Sequence, residues 1–209
     1  MNNMHKKIIP ILVSMLFIFT SFSITVFAGS EEDPEIEDEV DSNVVDYLDI
    51  ISAWFYEESN QPDYLFVCLK VKQIEENEFK QKLTVHWEYQ GIECAAGVAI
   101  GFEESVYHFS AGWGHGFWFQ EHYQKIEGSI DEEKGIITFK IPKEYIKDPQ
   151  EGDVLTNTYA LTFVRIGFLG KIGFDRHLLS SIISLFVRGG LTDAAPDSVR
   201  YGRDYIIQY

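Results

Sequence analysis

Two neighbouring stretches of alternating side chains constrain the fold of this chain more than any other feature of its sequence. In residues 65–72 aliphatic side chains occupy every second position, beginning with Leu65. This period of two predicts a β-strand with one buried face. Residues 47–55 alternate in the same way but are apolar on nearly both sides, and residues 57–63 between them have turn chemistry, with Asn60 and Pro62. The sequence therefore predicts an antiparallel β domain.

Further strand signals follow at short intervals along the chain. Residues 83–89 and 92–100 flank the turn Gln90-Gly91, which predicts a hairpin. Other predicted strands are 105–110 and 117–123 around a glycine-rich tip at 111–116, 126–130 and 136–141 around a turn that ends in Gly135, and 154–166. About eight or nine strands without long helices between them predict an all-β fold, a two-sheet antiparallel β-sandwich of the jelly-roll or immunoglobulin-like type.

One segment departs from the strand pattern. Near residues 175–188, apolar side chains recur at helical spacing, Asp175 can cap the first turn, and Gly189-Gly190 follows. This pattern predicts one inserted helix that packs over an edge or end of the sandwich. A lid or an interfacial helix is the functional alternative, because the apolar arc is wide and Arg176 and Arg188 flank it.

The beginning of the chain resembles an export signal. Lys6 and Lys7 precede an apolar run over residues 8–27, and Val26-Phe27-Ala28 offers a signal-peptidase site. We expect cleavage after Ala28 and a secreted or extracytoplasmic protein associated with the cell surface, without stable membrane insertion after cleavage. An uncleaved anchor is the alternative, because the run is about long enough to span a bilayer.

The predicted mature chain is strongly acidic. Removal of residues 1–28 takes away two lysines and no acid, which leaves 15 basic and 33 acidic residues and a net charge of −18. This charge argues against nucleic acid and anionic membranes as partners, because both would repel the protein. Eight carboxylates lie between Glu31 and Asp41 without a basic residue. We therefore expect an acidic, disordered tether at 29–43 ahead of a single β-sandwich domain at 44–209.

The chain contains two cysteines, Cys68 and Cys94, and both fall in predicted strands. Export permits a disulfide between them. Such a bond requires the strands to bring the two side chains together, which the spacing does not show. Two buried free thiols are the alternative.

Short strand motifs occur at residues 45–71, 137–142, 152–160, 193–197 and 201–206. Together these motifs resemble the extracellular DOMON-like and family 9 carbohydrate-binding-module-like β-sandwich domains. The resemblance implies a solitary module that binds a sugar between aromatic rings, or haem, or a larger surface protein, in some cases with a structural calcium ion. Haem ligation by Met and His is excluded after cleavage, because all three methionines lie within the first 15 residues.

A sugar site needs flat aromatic faces and nearby polar groups. Trp113 and Trp118, beside His115 and Gln120, offer this combination around the predicted glycine-rich tip, and Trp87 offers another ring. Strand aromatics more commonly fill the core, so Trp113 is the leading candidate because its glycine neighbours predict a loop.

Metal binding is a second hypothesis for the same hairpin. His108 and His122 become cross-strand neighbours if the hairpin turns symmetrically about His115, and two imidazoles can hold zinc or copper. Polar surface histidines are the alternative. Calcium could bind oxygen ligands from Asp193, Asp197 and Asp204, or from Asp46 and Asp49, although no EF-hand spacing is present.

The sequence lacks the common catalytic motifs, such as G-x-S-x-G, H-E-x-x-H or a Walker loop. We therefore expect a protein that is not an enzyme and requires no cofactor. The predicted function is an exported, non-catalytic binding module for a carbohydrate at or near the cell surface. The alternatives are a structural or adhesion module with a protein partner, and a metal-binding surface domain.

Overall fold

The computed structural model describes residues 29–42, 44–74, 81–101, 107–114, 122–164, 192–196 and 201–209. Its strands are β1 (Ile36–Glu37), β2 (Ile50–Tyr56), β3 (Tyr64–Val71), β4 (Gln81–Tyr89), β5 (Ile92–Ile100), β6 (Tyr107–Gly114), β7 (Gln124–Lys125), β8 (Glu127–Asp131), β9 (Ile136–Pro142), β10 (Val154–Val164), β11 (Thr192–Ala195) and β12 (Tyr205–Ile206). A 3-10 helix covers Lys143–Ile146. The predicted signal segment 1–28 and the predicted helix at 175–188 lie outside the described residues. Across the part of the chain that is described, no helix has the length and hydrophobicity needed to cross a membrane.

The strands form two antiparallel sheets that pack against each other. The small sheet has the order β1-β2-β3-β9-β8, and the large sheet has the order β11-β10-β4-β5-β6-β7, with β12 paired to β10. All pairings between these strands of the described chain are antiparallel. The prediction of a two-sheet antiparallel β-sandwich is confirmed.

Alternating side chains from both sheets fill the space between them. The alternating aliphatic residues of β3 belong to the buried core cluster, and Leu65 among them has 0% exposure; they are Leu65, Val67, Leu69 and Val71. Rings meet across the two layers: Phe55 of the small sheet and Trp87 of the large sheet pack edge to face with centroids 5.5 Å apart. Phe55 also stacks on Tyr205 of β12 at 5.5 Å. Burial of these large side chains is the main stabilising contribution to such a sandwich.

The hairpin between β4 and β5 has the turn that its sequence predicts. Tyr89 pairs with Ile92, so Gln90 and Gly91 alone form the connection. Both have positive φ, 52° and 73° respectively. Two-residue hairpin loops favour this left-handed conformation at both positions, which matches the twist of the strands.

The prediction of a disordered tether is wrong for residues 29–42. Ile36 is fully buried and pairs with Ala53, so β1 extends the small sheet by one strand. The neighbouring acids have specific partners: Glu31 contacts Lys70 at 2.6 Å, and the Glu35 carboxylate accepts the Phe55 N–H at 2.9 Å. A single apolar anchor and complementary charges therefore hold a segment whose composition alone indicates disorder.

The two cysteines are free and buried, so the disulfide alternative is wrong. Cys68 lies on β3 with its side chain on the outer face of the small sheet, since its neighbours Val67 and Leu69 point into the core. Cys94 belongs to β5 in the large sheet and to the core cluster. The two thiols therefore lie in different sheets and on different sides of the small sheet.

Candidate functional site

Residues 111–114 of the predicted glycine-rich tip belong to a strand instead of a loop. Strand β6 continues to Gly114, and Ala111 pairs with Ala96 of β5, so the first part of the proposed tip is inside a strand. His115, Trp118 and Gln120 lie outside the described residues.

Trp113 has both faces of its indole ring covered. The His122 imidazole stacks on it with centroids 3.8 Å apart, and the Lys147 ammonium lies 3.2 Å from the ring centroid. Two groups this close to one centroid must occupy opposite faces of the ring. A sugar ring would therefore have to displace one of them in order to stack on Trp113.

Trp87 is a core residue, and the prediction that it contacts a ligand is wrong. Its side chain is only 1% exposed, because the alternation along β4 points it between the sheets, where it meets Phe55.

The predicted pairing of His108 with His122 is also wrong. Symmetry about His115 would place Ser110 opposite Gln120, but Ser110 pairs with Lys125, an offset of five residues. His122 consequently lies beside Trp113. Within the described ranges, no three His, Cys, Asp or Glu side chains come together as a metal-binding group.

The aspartates considered as calcium ligands hold the strands together instead. Asp193 accepts the N–H of Ile50 at 2.7 Å, which links β11 of the large sheet to β2 of the small sheet. Lys72 contacts Asp46 at 2.6 Å and Asp49 at 3.7 Å. Burial raises the pKa of Asp193 to about 6 and raises the pKa of Asp49. Asp197 lies outside the described residues, and Asp204 is exposed.

A polar cluster on the outer face of the large sheet was not predicted. Thr84 and His86 lie on β4, and their cross-strand neighbours are Leu161 and Tyr159 of β10. Thr84 donates to the Leu161 carbonyl at 3.2 Å, so the His86 Nε2 atom, 2.9 Å from the Thr84 hydroxyl, must carry a hydrogen and donate to it.

The other imidazole nitrogen of His86 faces a carboxylate. Nδ1 lies 3.3 Å from Glu93 Oε1, which also accepts the Tyr159 hydroxyl. Burial lowers the pKa of His86, and the Glu93 carboxylate opposes this effect. The three strands β4, β5 and β10 contribute to the cluster, and we assign it the structural role of fixing their register.

An open groove at one end of the sandwich has the character of a ligand site. We call it the C-terminal groove; its volume is about 680 Å³, and it is lined by Pro62, Asp63, Tyr64, Pro142, Lys143, Glu144, Lys147, Asp148, Pro149, Gln150 and Tyr209. Tyr209 is 47% exposed. The Lys140 ammonium lies 4.4 Å from the Tyr64 ring centroid and orients this ring at the groove wall. The site therefore combines two aromatic rings with carboxylate, amide and ammonium groups.

The backbone along the groove is held in an unusual conformation. Lys147 and Asp148 are consecutive non-glycine residues with positive φ, 75° and 53°. The Asp148 N–H donates to the Lys143 carbonyl at 2.8 Å, and the Lys143 N–H donates to the Asp63 carbonyl at 2.9 Å. Such conformations cost about 1–3 kcal/mol each and are concentrated at ligand sites, where surrounding bonds maintain them.

A buried ion pair supports the floor of the groove. Lys143 contacts Glu57 at 2.6 Å, and the side chains are only 5% and 0% exposed. The Glu57 carboxylate also accepts the Tyr205 hydroxyl at 3.2 Å and the Gln208 N–H at 2.5 Å. Lys143 donates in addition to the Tyr209 carbonyl. This network holds the backbone of residues 208 and 209 against the end of the sandwich.

A second, smaller groove of about 410 Å³ runs beside the acidic segment 31–38, with Ser52 and Lys70 in its wall. It has no aromatic lining, so it offers no stacking surface. The C-terminal groove is therefore the better candidate. Comparison of the chain with family models, with curated proteins and with solved structures gave no match.

Proposed function

We propose that this protein is an exported, non-catalytic binding module that holds a carbohydrate in the C-terminal groove. The observation that carries the proposal is the composition of this groove, in which Tyr64 and Tyr209 stand among Asp63, Glu144, Asp148 and Gln150. Aromatic rings cover the apolar C–H face of a pyranose, and carboxylate and amide groups accept or donate hydrogen bonds to its hydroxyls.

The size of the groove supports a small ligand. A volume of about 680 Å³ falls within the range of roughly 300–1,000 Å³ typical of small-molecule sites. The buried Glu57–Lys143 pair and the left-handed residues hold the walls before a ligand arrives, which reduces the entropy lost on binding.

The fold agrees with this proposal. Two antiparallel sheets form a sandwich of the architecture that sugar-binding modules use, and the sequence resembles the DOMON-like and family 9 carbohydrate-binding-module-like domains. Because one fold serves many functions, the groove and not the architecture supports the choice of ligand.

A glycan array with the purified protein, followed by calorimetric titration of the glycans that bind, tests the proposal. We expect Tyr209→Ala to weaken binding about twofold to tenfold, because loss of one stacking ring costs roughly 0.5–1.5 kcal/mol. Tyr201→Ala is the matched control, since Tyr201 is 48% exposed and lies outside the groove. An array without any bound glycan, or equal losses in the two variants, would contradict the proposal.

A further inference from the structure

The charged side chains around the C-terminal groove are not equally available to a ligand. Two lysines, Lys143 and Lys147, and three acids, Asp63, Glu144 and Asp148, line it. A simple count leaves one excess negative charge, but the contacts of the lysines change this balance.

The positive charge of Lys143 is already neutralised. Its ammonium contacts the Glu57 carboxylate at 2.6 Å and donates to the Tyr209 carbonyl, and only 5% of its side chain is exposed. Moving this ammonium toward a ligand would leave Glu57 buried without a counter-charge, which is strongly unfavourable.

The ammonium of Lys147 is engaged by an aromatic ring that does not line the groove. It lies 3.2 Å from the centroid of the Trp113 ring, in a cation–π contact.

The three acids have no such partners. Asp63, Glu144 and Asp148 are exposed, and none of them forms an ion pair within the described part of the chain. A ligand therefore meets three carboxylates that are not engaged in ion pairs, against one ammonium, that of Lys147, without a carboxylate partner. The net charge of −16 for the whole chain adds a long-range field of the same sign.

We propose that the C-terminal groove selects glycans that carry free amines, such as oligomers of glucosamine, over neutral and acidic glycans of the same length. This inference rests on the proposed carbohydrate binding and adds the class of sugar. A protonated amine forms charge-assisted hydrogen bonds to carboxylates, whereas an N-acetyl group lacks the charge and a uronate is repelled.

Titration calorimetry at about pH 6 compares three probes of equal length: a glucosamine tetramer, an N-acetylglucosamine tetramer and a uronic acid tetramer. We expect the glucosamine tetramer to bind about fivefold to twentyfold tighter than the N-acetylated one at low salt. At about 0.5 M salt the advantage should fall severalfold, because the screening length becomes shorter than the groove.

Two conservative variants locate the effect. Glu144→Gln and Asp148→Asn remove one charge each, and asparagine accepts the left-handed backbone at 148. Both should weaken binding of the glucosamine tetramer more than binding of the N-acetylated tetramer, so that the preference for the amine becomes smaller. Glu151→Gln is the control, because Glu151 is exposed in the same loop but does not line the groove.

The outcomes separate this inference from the proposed function. If the N-acetylated tetramer binds as tightly as the glucosamine tetramer, or the uronic acid tetramer binds tighter, the charge selection is refuted while carbohydrate binding stands. An equal effect of Glu151→Gln refutes the local origin of the preference. If none of the three probes, nor any glycan on the array, binds, the proposed function itself fails.

Discussion

Replacement of Lys143 by methionine should strongly destabilise the protein. The Glu57 and Lys143 side chains are 0% and 5% exposed and lie 2.6 Å apart. Methionine fills a similar volume but leaves the Glu57 carboxylate buried without a cation. Tyr205 and Gln208 still donate to Glu57, but they do not supply a charge. Breaking a buried pair in this way costs about 3–5 kcal/mol.

The loss can be measured by urea unfolding followed by tryptophan fluorescence, together with calorimetric melting. For a chain of this length, 3–5 kcal/mol corresponds to a fall of roughly 6–20 °C in the melting temperature. The double variant Glu57→Gln with Lys143→Met should be more stable than Lys143→Met alone, because the unpaired charge is removed. We expect a coupling energy of about 1–3 kcal/mol.

Lys134→Met provides the matched control for this experiment. Lys134 also contacts an acid, Asp131 at 3.4 Å, but its side chain is 68% exposed. Surface pairs of this kind contribute about 0–1 kcal/mol. The reasoning about the buried pair is refuted if Lys143→Met is no more destabilising than Lys134→Met. It is also refuted if the losses of unfolding free energy from Glu57→Gln and Lys143→Met simply add in the double variant.

Three further predictions follow from the sandwich. Burial raises the pKa of Glu35 to about 7, so the folded state binds this proton more tightly than the unfolded state. The free energy of unfolding should therefore fall by about 3 kcal/mol as pH rises from about 4.5 to 7. In the variant Glu35→Gln the free energy of unfolding should depend less steeply on pH in this window, and an unchanged pH dependence would contradict the assignment. Burial raises the thiol pKa of Cys68 to about 11 and of Cys94 to about 12. In the absence of reductant, a thiol reagent should therefore label both cysteines slowly in the folded protein and rapidly after unfolding. If no thiol reacts in denaturant, the two cysteines form a disulfide. A Cβ atom at Gly112 would lie 2.3 Å from the His122 carbonyl oxygen, so Gly112→Ala should cost about 1–3 kcal/mol in urea unfolding, and an unchanged midpoint would argue against this strand arrangement.

Strand positions were predictable from the sequence because burial on one face imposes a local period of two. Leu65 and Val67 carry this signal, and they belong to the core. The turn at Gln90-Gly91 was equally predictable, because its chemistry depends on two adjacent residues.

Features that depend on contacts between distant segments were not predictable in this way. The acidic composition around Ile36 predicts disorder, but Ile36 is buried because β1 pairs with the edge of β2. The position of His122 depends on the register between β6 and β7. Symmetry about His115 predicts a register that differs by five residues from the observed one.

The C-terminal groove is the clearest example. Tyr64 and Tyr209 are 145 residues apart in the sequence, and the fold brings them together to line one site. Pro62 and Asp63 belong to the predicted turn at 57–63, and their sequence gives no sign of a ligand.

The central claim is that a sugar binds in the C-terminal groove, and a crystal structure of the protein soaked with a glycan selected on the array tests it most directly. We predict electron density for a pyranose against the Tyr209 ring, with its polar groups toward Glu144 or Asp148. A sugar bound instead at Trp113, or on the outer face of the large sheet beside Tyr159, would contradict the claim.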